Sequence, residues 1–368
     1  MIRRKFLIPA ITSILVLSLA LAGCSEPADE VEMVTVTFAL GGSSRATGFG
    51  GEISDYNELE HYVTITGPSG ENIPAPVTKG DIPTVTATGP AGSWLIEVQA
   101  VRTPFAGLSS LYALYSHLHT VNSGTSINIT MQRPADFITA NSSLSLAVPL
   151  TAPMWSSIFN AIDNSTATAV TLNLSRCTDG GSGAPLFNGT FDPGSSLTGK
   201  DKVSTLILPN AATEIIGSSG PVPFAAFTGL TSVIGSGIID IGERAFWEAD
   251  QLTDVSFPEL KNIDDDAFNS AFALTNVNFP KVETIGDSAF FNCDIGHLDL
   301  PNVVTIGTTA FSGNSNLNSI TISGGATLDI SGWDTSSRYA TFVDYYGINP
   351  PTSSTGTYTH DGTGWTGP

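Results

Sequence analysis

Leu252-Thr253-Asp254-Val255-Ser256-Phe257-Pro258-Glu259-Leu260-Lys261-Asn262-Ile263-Asp264-Asp265-Asp266-Ala267-Phe268 is one unit of a repeat. Its apolar positions return as Leu274, Val277, Phe279, Pro280, Val282, Ile285, Ala289 and Phe290, and again as Ile295, Leu298, Leu300, Pro301, Val303, Ile306, Ala310 and Phe311. One unit earlier, Leu230, Val233, Ile238, Ile241, Ala245 and Phe246 keep the register, with Gly235 in place of the aromatic. The leading residues Leu230, Leu252, Leu274, Ile295 and Leu317 are spaced 22, 22, 21 and 22 apart. Self-similarity at a fixed period of this length is the signature of stacked coils.

The spacing has a physical reading. Positions one, four and six of each unit point inward from an extended segment, and the proline that follows cannot donate to a neighbouring ladder, so the strand stops there. The later Leu or Val, Ile and Ala-Phe line the opposite wall. One coil alone buries too little apolar surface to offset its ordering entropy, so coils come in arrays with atypical ends. Val203, Leu206, Leu208 and Pro209 begin a longer coil that absorbs Gly217 to Pro223 before Ala226-Phe227. Leu172, Leu174 and Cys177 begin an earlier one, followed by a glycine-rich insertion from Thr178 to Lys200.

The Ile-Gly-x-x-Ala-Phe motif, present as Ile285-Gly286 with Ala289-Phe290 and as Ile306-Gly307 with Ala310-Phe311, resembles the BspA-like leucine-rich repeat family of bacterial surface proteins over about Ala169 to Ile330. The resemblance implies a leucine-rich-repeat solenoid and adhesion or binding at the cell surface. No asparagine ladder is expected, because proline and a polar residue occupy that region.

The start of the chain carries an address. Arg3, Arg4 and Lys5 precede an apolar run that ends in Leu21-Ala22-Gly23-Cys24, the order of a secretory signal. That ending resembles the lipobox of bacterial lipoproteins, which implies cleavage after Gly23, Cys24 as the lipidation site, and a lipid anchor in the cell envelope, at the outer membrane or cell surface. The formal net charge is −20, and removal of residues 1–23 takes away only basic residues. Such a surface repels phosphate backbones, which excludes nucleic acid as a partner.

The fold class read from the whole chain is mainly β, a leucine-rich-repeat solenoid preceded by an antiparallel β-sandwich of transthyretin-like or immunoglobulin-like type. The expected divisions are a signal peptide (1–23), a tether (24–30), the β-sandwich (31–133), a linker and capping helix (134–165), the solenoid (166–332) and a C-terminal cap or tail (333–368). Period-two alternation at Val34, Val36 and Phe38, at Tyr62 to Thr66 and at Trp94 to Val101 marks the sandwich strands, with Trp94 as a core plug. Trp155, Ile158, Phe159 and Ile162 lie on one helical face behind Thr151 as N-cap, a helix that plugs the open end of the array. Phe342 to Tyr346, Tyr358 and Trp365 are the aromatic cap at the other end.

Little in the chain reads as chemistry. Gly194 to Lys200 has phosphate-loop spacing, but Asp201 stands where Ser or Thr should hold magnesium, so nucleotide binding is not expected. Asp264-Asp265-Asp266 lacks the alternate spacing of a calcium loop, and the five histidines form no metal motif, so no cofactor or metal is expected. Cys177 and Cys293 are expected to be small buried fillers. The residues free to bind lie between the inward positions of successive strands: Asp254 and Ser256, Asn276 and Asn278, His297 and Asp299 form a polar, mildly acidic stripe. Three functions fit: a non-catalytic binder of an extracellular protein or glycan, a carbohydrate-active parallel β-helix enzyme using Asp254 and Asp299, and a structural envelope protein. The solenoid reading predicts that Phe246, Phe268, Phe290 and Phe311 stand in one column; rings pointing in unrelated directions overturn it.

Overall fold

The computed structural model describes residues 32–40, 59–75, 78–79, 84–102, 110–123, 125–129, 131–194, 198–328, 342, 346 and 355–367. Residues 1–23, Cys24 and the tether lie outside them, as do Val343 to Tyr345.

The N-terminal part forms two sheets. The first holds β1 (Met33–Leu40) at its centre, and the second runs through β2 (Leu59–Thr66). In chain order β3 (Thr84–Pro90), β4 (Gly92–Arg102), β5 (Ser110–Val121) and β6 (Ser126–Ile129) follow. β3 pairs with β1, while β2, β4 and β5 pair in sequence, all antiparallel. The sequence leads to a wholly antiparallel arrangement, and β6 departs from it: it lies parallel to β1, with Phe38 opposite Ile127. β6 reaches β1 by crossing from the other sheet, as parallel pairing requires, and not through a hairpin. Val34, Val36 and Phe38 of the first sheet share a buried cluster with Ile65, Trp94, Ile96 and Val98 of the second. Trp94 is fully buried there, its indole N–H donating to Pro90 O at 2.7 Å.

Alternation along β4 sends the intervening residues the other way, and from Glu97 onward these are buried as well. Glu97 and Gln99 are buried. Gln99 donates to Ser145 O at 3.2 Å and accepts from Ala147 N at 2.7 Å, and Arg176 reaches Glu97 at 2.6 Å. Val101, Leu111 and Leu114 belong to the same apolar cluster as the solenoid.

Between the sheets and the repeats lie α1 (Pro134–Asn141), β7 (Ser143–Ser145) and α2 (Ala152–Asn164). Thr151 caps α2, accepting from Met154 N at 3.2 Å with proline in the first turn. The buried face of α2 carries Trp155, Ile158, Phe159 and Ile162 and sits against the first coils, Trp155 on Phe191 and Phe159 on Phe227. α1 and β7 were not legible as elements: residues 134–150 read as linker, yet β7 is the first parallel strand of the repeat sheet.

The strand wall continues in parallel register through β8 (Val170–Asn173), β9 (Val203–Ile207), β10 (Ser232–Ile234), β11 (Asp254–Ser256) and β12 (Asn276–Asn278). A separate sheet holds β13 (His297–Leu300), β14 (Ser319–Ser323) and β15 (Thr355–His360), the last antiparallel on β14. The opposite wall is unbroken, its two-residue strands pairing from Glu214–Ile215 through Thr327–Leu328. Tyr358 and Trp365 close the far end with Phe342, 5.4 and 5.1 Å away between ring centres.

The phenylalanines form one column. Phe246, Phe268, Phe290 and Phe311 stack at 5.0, 4.9 and 5.1 Å, within 7° of parallel. The backbone fixes them there, because Phe246 N, Phe268 N and Phe290 N each donate to the alanine carbonyl of the next coil at 2.7 Å. In the long coil Phe224, not Phe227 as the Ala-Phe motif had it, stacks on Phe246 at 4.4 Å. The spacing to the next leading leucine decides this: Phe224 precedes Leu230 by the same six residues that separate Phe246 from Leu252. The glycine of Ile-Gly is explained at Gly286, where an added Cβ would lie 2.6 Å from Asp265 N of the preceding coil.

Each coil also turns twice through left-handed backbone, at Arg244, Asp266, Ser288 and Thr309 and at Glu248, Ser270, Asn292 and Gly313. Only the last is glycine. Two outcomes follow. Phe268→Ala should cost about 3–5 kcal/mol in chemical denaturation, the range for a buried aromatic. Glu248→Gly should gain about 0.5–1 kcal/mol, because Glu248 is exposed with φ 56° and the strain of a Cβ there exceeds the entropy glycine loses.

Candidate functional site

Side-chain alternation on β11 to β13 turns Val255 and Leu298 into the solenoid and leaves Asp254, Asn276, Asn278, His297 and Asp299 exposed, with Ser256 half-buried. Because successive coils are in register 22 residues apart, equivalent side chains meet. Asn276 donates to Asp254 Oδ1 at 2.7 Å, and Thr253 Oγ1 donates to Asp254 Oδ2 at 2.8 Å. The opposite wall repeats the device, with Asn262 donating to Asp240 at 2.6 Å and Thr284 to Asn262 at 2.7 Å.

Five of the six stripe residues line one cleft of about 430 Å³: Asp254, Ser256, Asn276, Asn278 and His297. Asp299 is on the same strand as His297 but outside that lining. Thr275, Ser232 and Ile234 complete the rim. The cleft runs over β10 to β12 and ends at a break in the strand wall. β12 ends one sheet and β13 begins the next, and among the described residues no ladder joins them. Elsewhere Thr253 N and Thr275 N donate to the equivalent threonine one coil earlier; here Asp294 N donates to Leu274 O, and the regular bond resumes with Asn318 N to Gly296 O. The cause is a missing residue. Six residues separate Phe268 from Leu274, but five separate Phe290 from Ile295. The 21-residue step between Leu274 and Ile295 carries this signal in the sequence. Asn314 accommodates the short turn, accepting from Ile295 N at 3.0 Å and donating to Phe290 O at 2.8 Å.

Residues 200–331 match the BspA type leucine rich repeat region in six copies. That segment is a BspA-type leucine-rich repeat array. A solved leucine-rich repeat protein from Bacteroides ovatus is similar at 18% identity, over 40% of this chain and 43% of that one, with a TM-score of 0.24. This chain thus spans less than half the length of that relative. No curated protein matches. In leucine-rich-repeat terms the cleft lies on the strand face of the first three regular coils and reaches the fourth through His297, away from the phenylalanine column.

The other groups singled out in the sequence have structural roles. Lys200 is buried; its ammonium donates to Pro193 O at 2.7 Å and to Gly194 O, and lies 5.0 Å from the centre of the Phe227 ring. It ties the end of the insertion back onto Pro193 and Gly194. Residues 195–197 of the phosphate-loop spacing lie outside the described residues. Cys177 and Cys293 are buried free thiols, pushed up to about 12 by burial. Among the described residues no group of three or more His, Cys, Asp or Glu is placed to hold a metal ion. Asp265 accepts from Asp287 N at 2.7 Å, so the acidic run at 264–266 ties one coil to the next. Partial burial and the neighbouring carboxylates, Asp265 first, raise Asp264 above the usual range. Trp247 is half-buried under the Arg244 guanidinium, 4.9 Å from its ring centre, and Phe291 is also half-buried.

Lys200 gives a pH prediction. Burial lowers it to about 8 from its ordinary 10.5, with Asp192 opposing. Between those values the unfolded chain binds the extra proton, so this group's unfavourable contribution shrinks as pH rises. In urea unfolding from about pH 8 to 10.5, wild type should gain stability relative to Lys200→Met, and a flat difference would contradict the buried-ammonium account.

Proposed function

We propose that this chain is a lipid-anchored bacterial surface protein whose leucine-rich-repeat array binds an extracellular protein or glycan without catalysing a reaction. The observation that carries the reading is the cleft: a rigid stack presents Asp254, Asn276, Asn278 and His297 together beside a break in its strand wall. The repeat family, BspA-type, supports a surface or binding role. Anchoring rests on the lipobox at Cys24, and among the described residues no helix is long and apolar enough to cross a membrane. The N-terminal sheets serve in this reading as an Ig-like or transthyretin-like sandwich spacer. Their union with the array through Glu97, Gln99 and Arg176 makes that spacer a rigid mount.

The enzymatic alternative draws on Asp254 and Asp299. It is weakened by the engagement of both Asp254 oxygens with Thr253 and Asn276 and by the position of Asp299 outside the cleft. Four measurements test the proposal. Binding of the purified chain to immobilised matrix proteins and glycans should fall when Asp254, Asn276 and His297 are all changed to Ala; unchanged binding rejects the site. Cys24→Ser should abolish incorporation of labelled fatty acid, and protease added to intact cells should degrade the wild-type protein. Polysaccharide cleavage that Asp299→Asn abolishes would favour the enzyme instead.

A further inference from the structure

We infer that the ligand of the interrupted strand wall is a neutral, hydroxyl-rich glycan, held where its hydroxyls replace the ladder bonds missing between β12 and β13. This rests on the surface-binding reading above and specifies the ligand class of the same cleft.

The argument begins with what the break leaves open. In a continuous wall Asn276 would pair with His297, Val277 with Leu298 and Asn278 with Asp299, continuing the register of β11 with β12. None of these pairs forms, so two strand edges, each with backbone donors and acceptors, meet unpaired at the end of the cleft that His297 lines. A row of open backbone groups ordinarily invites an extended peptide. Here one does not fit. A strand inserted between two others needs twice the normal spacing, about 9.6 Å. The coils are held closer than that on their other sides: Phe268, Phe290 and Phe311 stack at 4.9 and 5.1 Å, and Thr284 pairs with Thr305 across the same step. The opening takes groups smaller than a polypeptide backbone.

A hydroxyl is such a group, and it donates and accepts at once, so it can satisfy an N–H on one edge and a C=O on the other. Asn276, Asn278, Ser256 and Asp254 extend the same mixed donor and acceptor chemistry outward, with Asp254 already oriented by two hydrogen bonds. Ile234 and the half-buried Val277 supply apolar surface for the C–H face of a sugar ring. The lining contains no Lys or Arg, and a chain of net charge −20 disfavours a polyanion. The sugar rings themselves lie in the cleft beside the break, over β10 to β12, whose volume of about 430 Å³ falls within the range of ligand pockets, about 300–1,000 Å³.

The test is calorimetric titration of the full chain with neutral linear hexasaccharides of β-1,4-glucose, β-1,4-mannose, β-1,4-xylose and α-1,4-glucose, with a heparin octasaccharide as the polyanionic contrast. At least one neutral probe should bind and heparin should not. The paired change Asn276→Ala with Asn278→Ala should weaken binding about tenfold or more. A second variant inserts one alanine between Asp294 and Ile295, restoring the regular spacing. It should close the ladder, slow amide exchange at Val277 and Asp299, and abolish binding. Failure of all four hexasaccharides, binding of heparin in their place, or neutral-glycan binding that neither variant disturbs overturns the inference. If the hexasaccharides fail while gelatin binds and loses affinity on the Asn276 and Asn278 changes, the glycan assignment falls and the surface-binding reading stands. If nothing binds, both fall.

Discussion

Coil-on-coil burial is the constraint from which the rest follows. No single 22-residue turn can enclose its own leucines, valines and phenylalanines, so each is completed by its neighbours, and the array is stable only as a stack. The phenylalanine column shows the coupling between side chain and backbone. The ring of each coil lies flat on the next because its own N–H is bonded to the alanine carbonyl one coil on. Burial of the rings and the hydrogen-bond ladder therefore enforce the same spacing. A stack with free ends would expose that interior. α2 covers one end with Trp155 and Phe159, and Phe342, Tyr358 and Trp365 cover the other.

The same constraint explains why a deleted residue is felt where it is. The turn between Phe290 and Ile295 is too short, but the aromatic column and the opposite wall hold their register, so the mismatch is displaced onto the strand wall. There it appears as an unpaired edge between β12 and β13, at the end of a cleft bordered by polar side chains that alternation had already turned outward. The open edge is in this way a consequence of a small violation of the repeat: a perfect array would present a closed sheet.

The junction with the N-terminal sheets obeys a different logic. β4 buries apolar residues on one side and Glu97 and Gln99 on the other, and the polar pair stays buried because Arg176, Ser145 and Ala147 satisfy it. An amide and a carboxylate placed between two cores tolerate few alternative partners, so the mount is directional as well as tight.

The sequence alone determined the solenoid, its period, the inward residues and the column, because a repeat states its own contacts: residues one period apart must touch. It also determined the N-cap of α2, since Thr151 and the first-turn proline are local signals. It placed Asp254, Asn276, Asn278 and His297 on one outward stripe, yet gave no reason to prefer that stretch to any other. Only the tertiary structure decided that β6 joins β1 in parallel, that Ser143–Ser145 joins the strand wall, that Glu97 and Gln99 face inward, and that the wall opens between β12 and β13. Each of those depends on which non-local surfaces meet. A period-two or period-22 pattern reports which way a side chain points from its own backbone, and not what stands opposite.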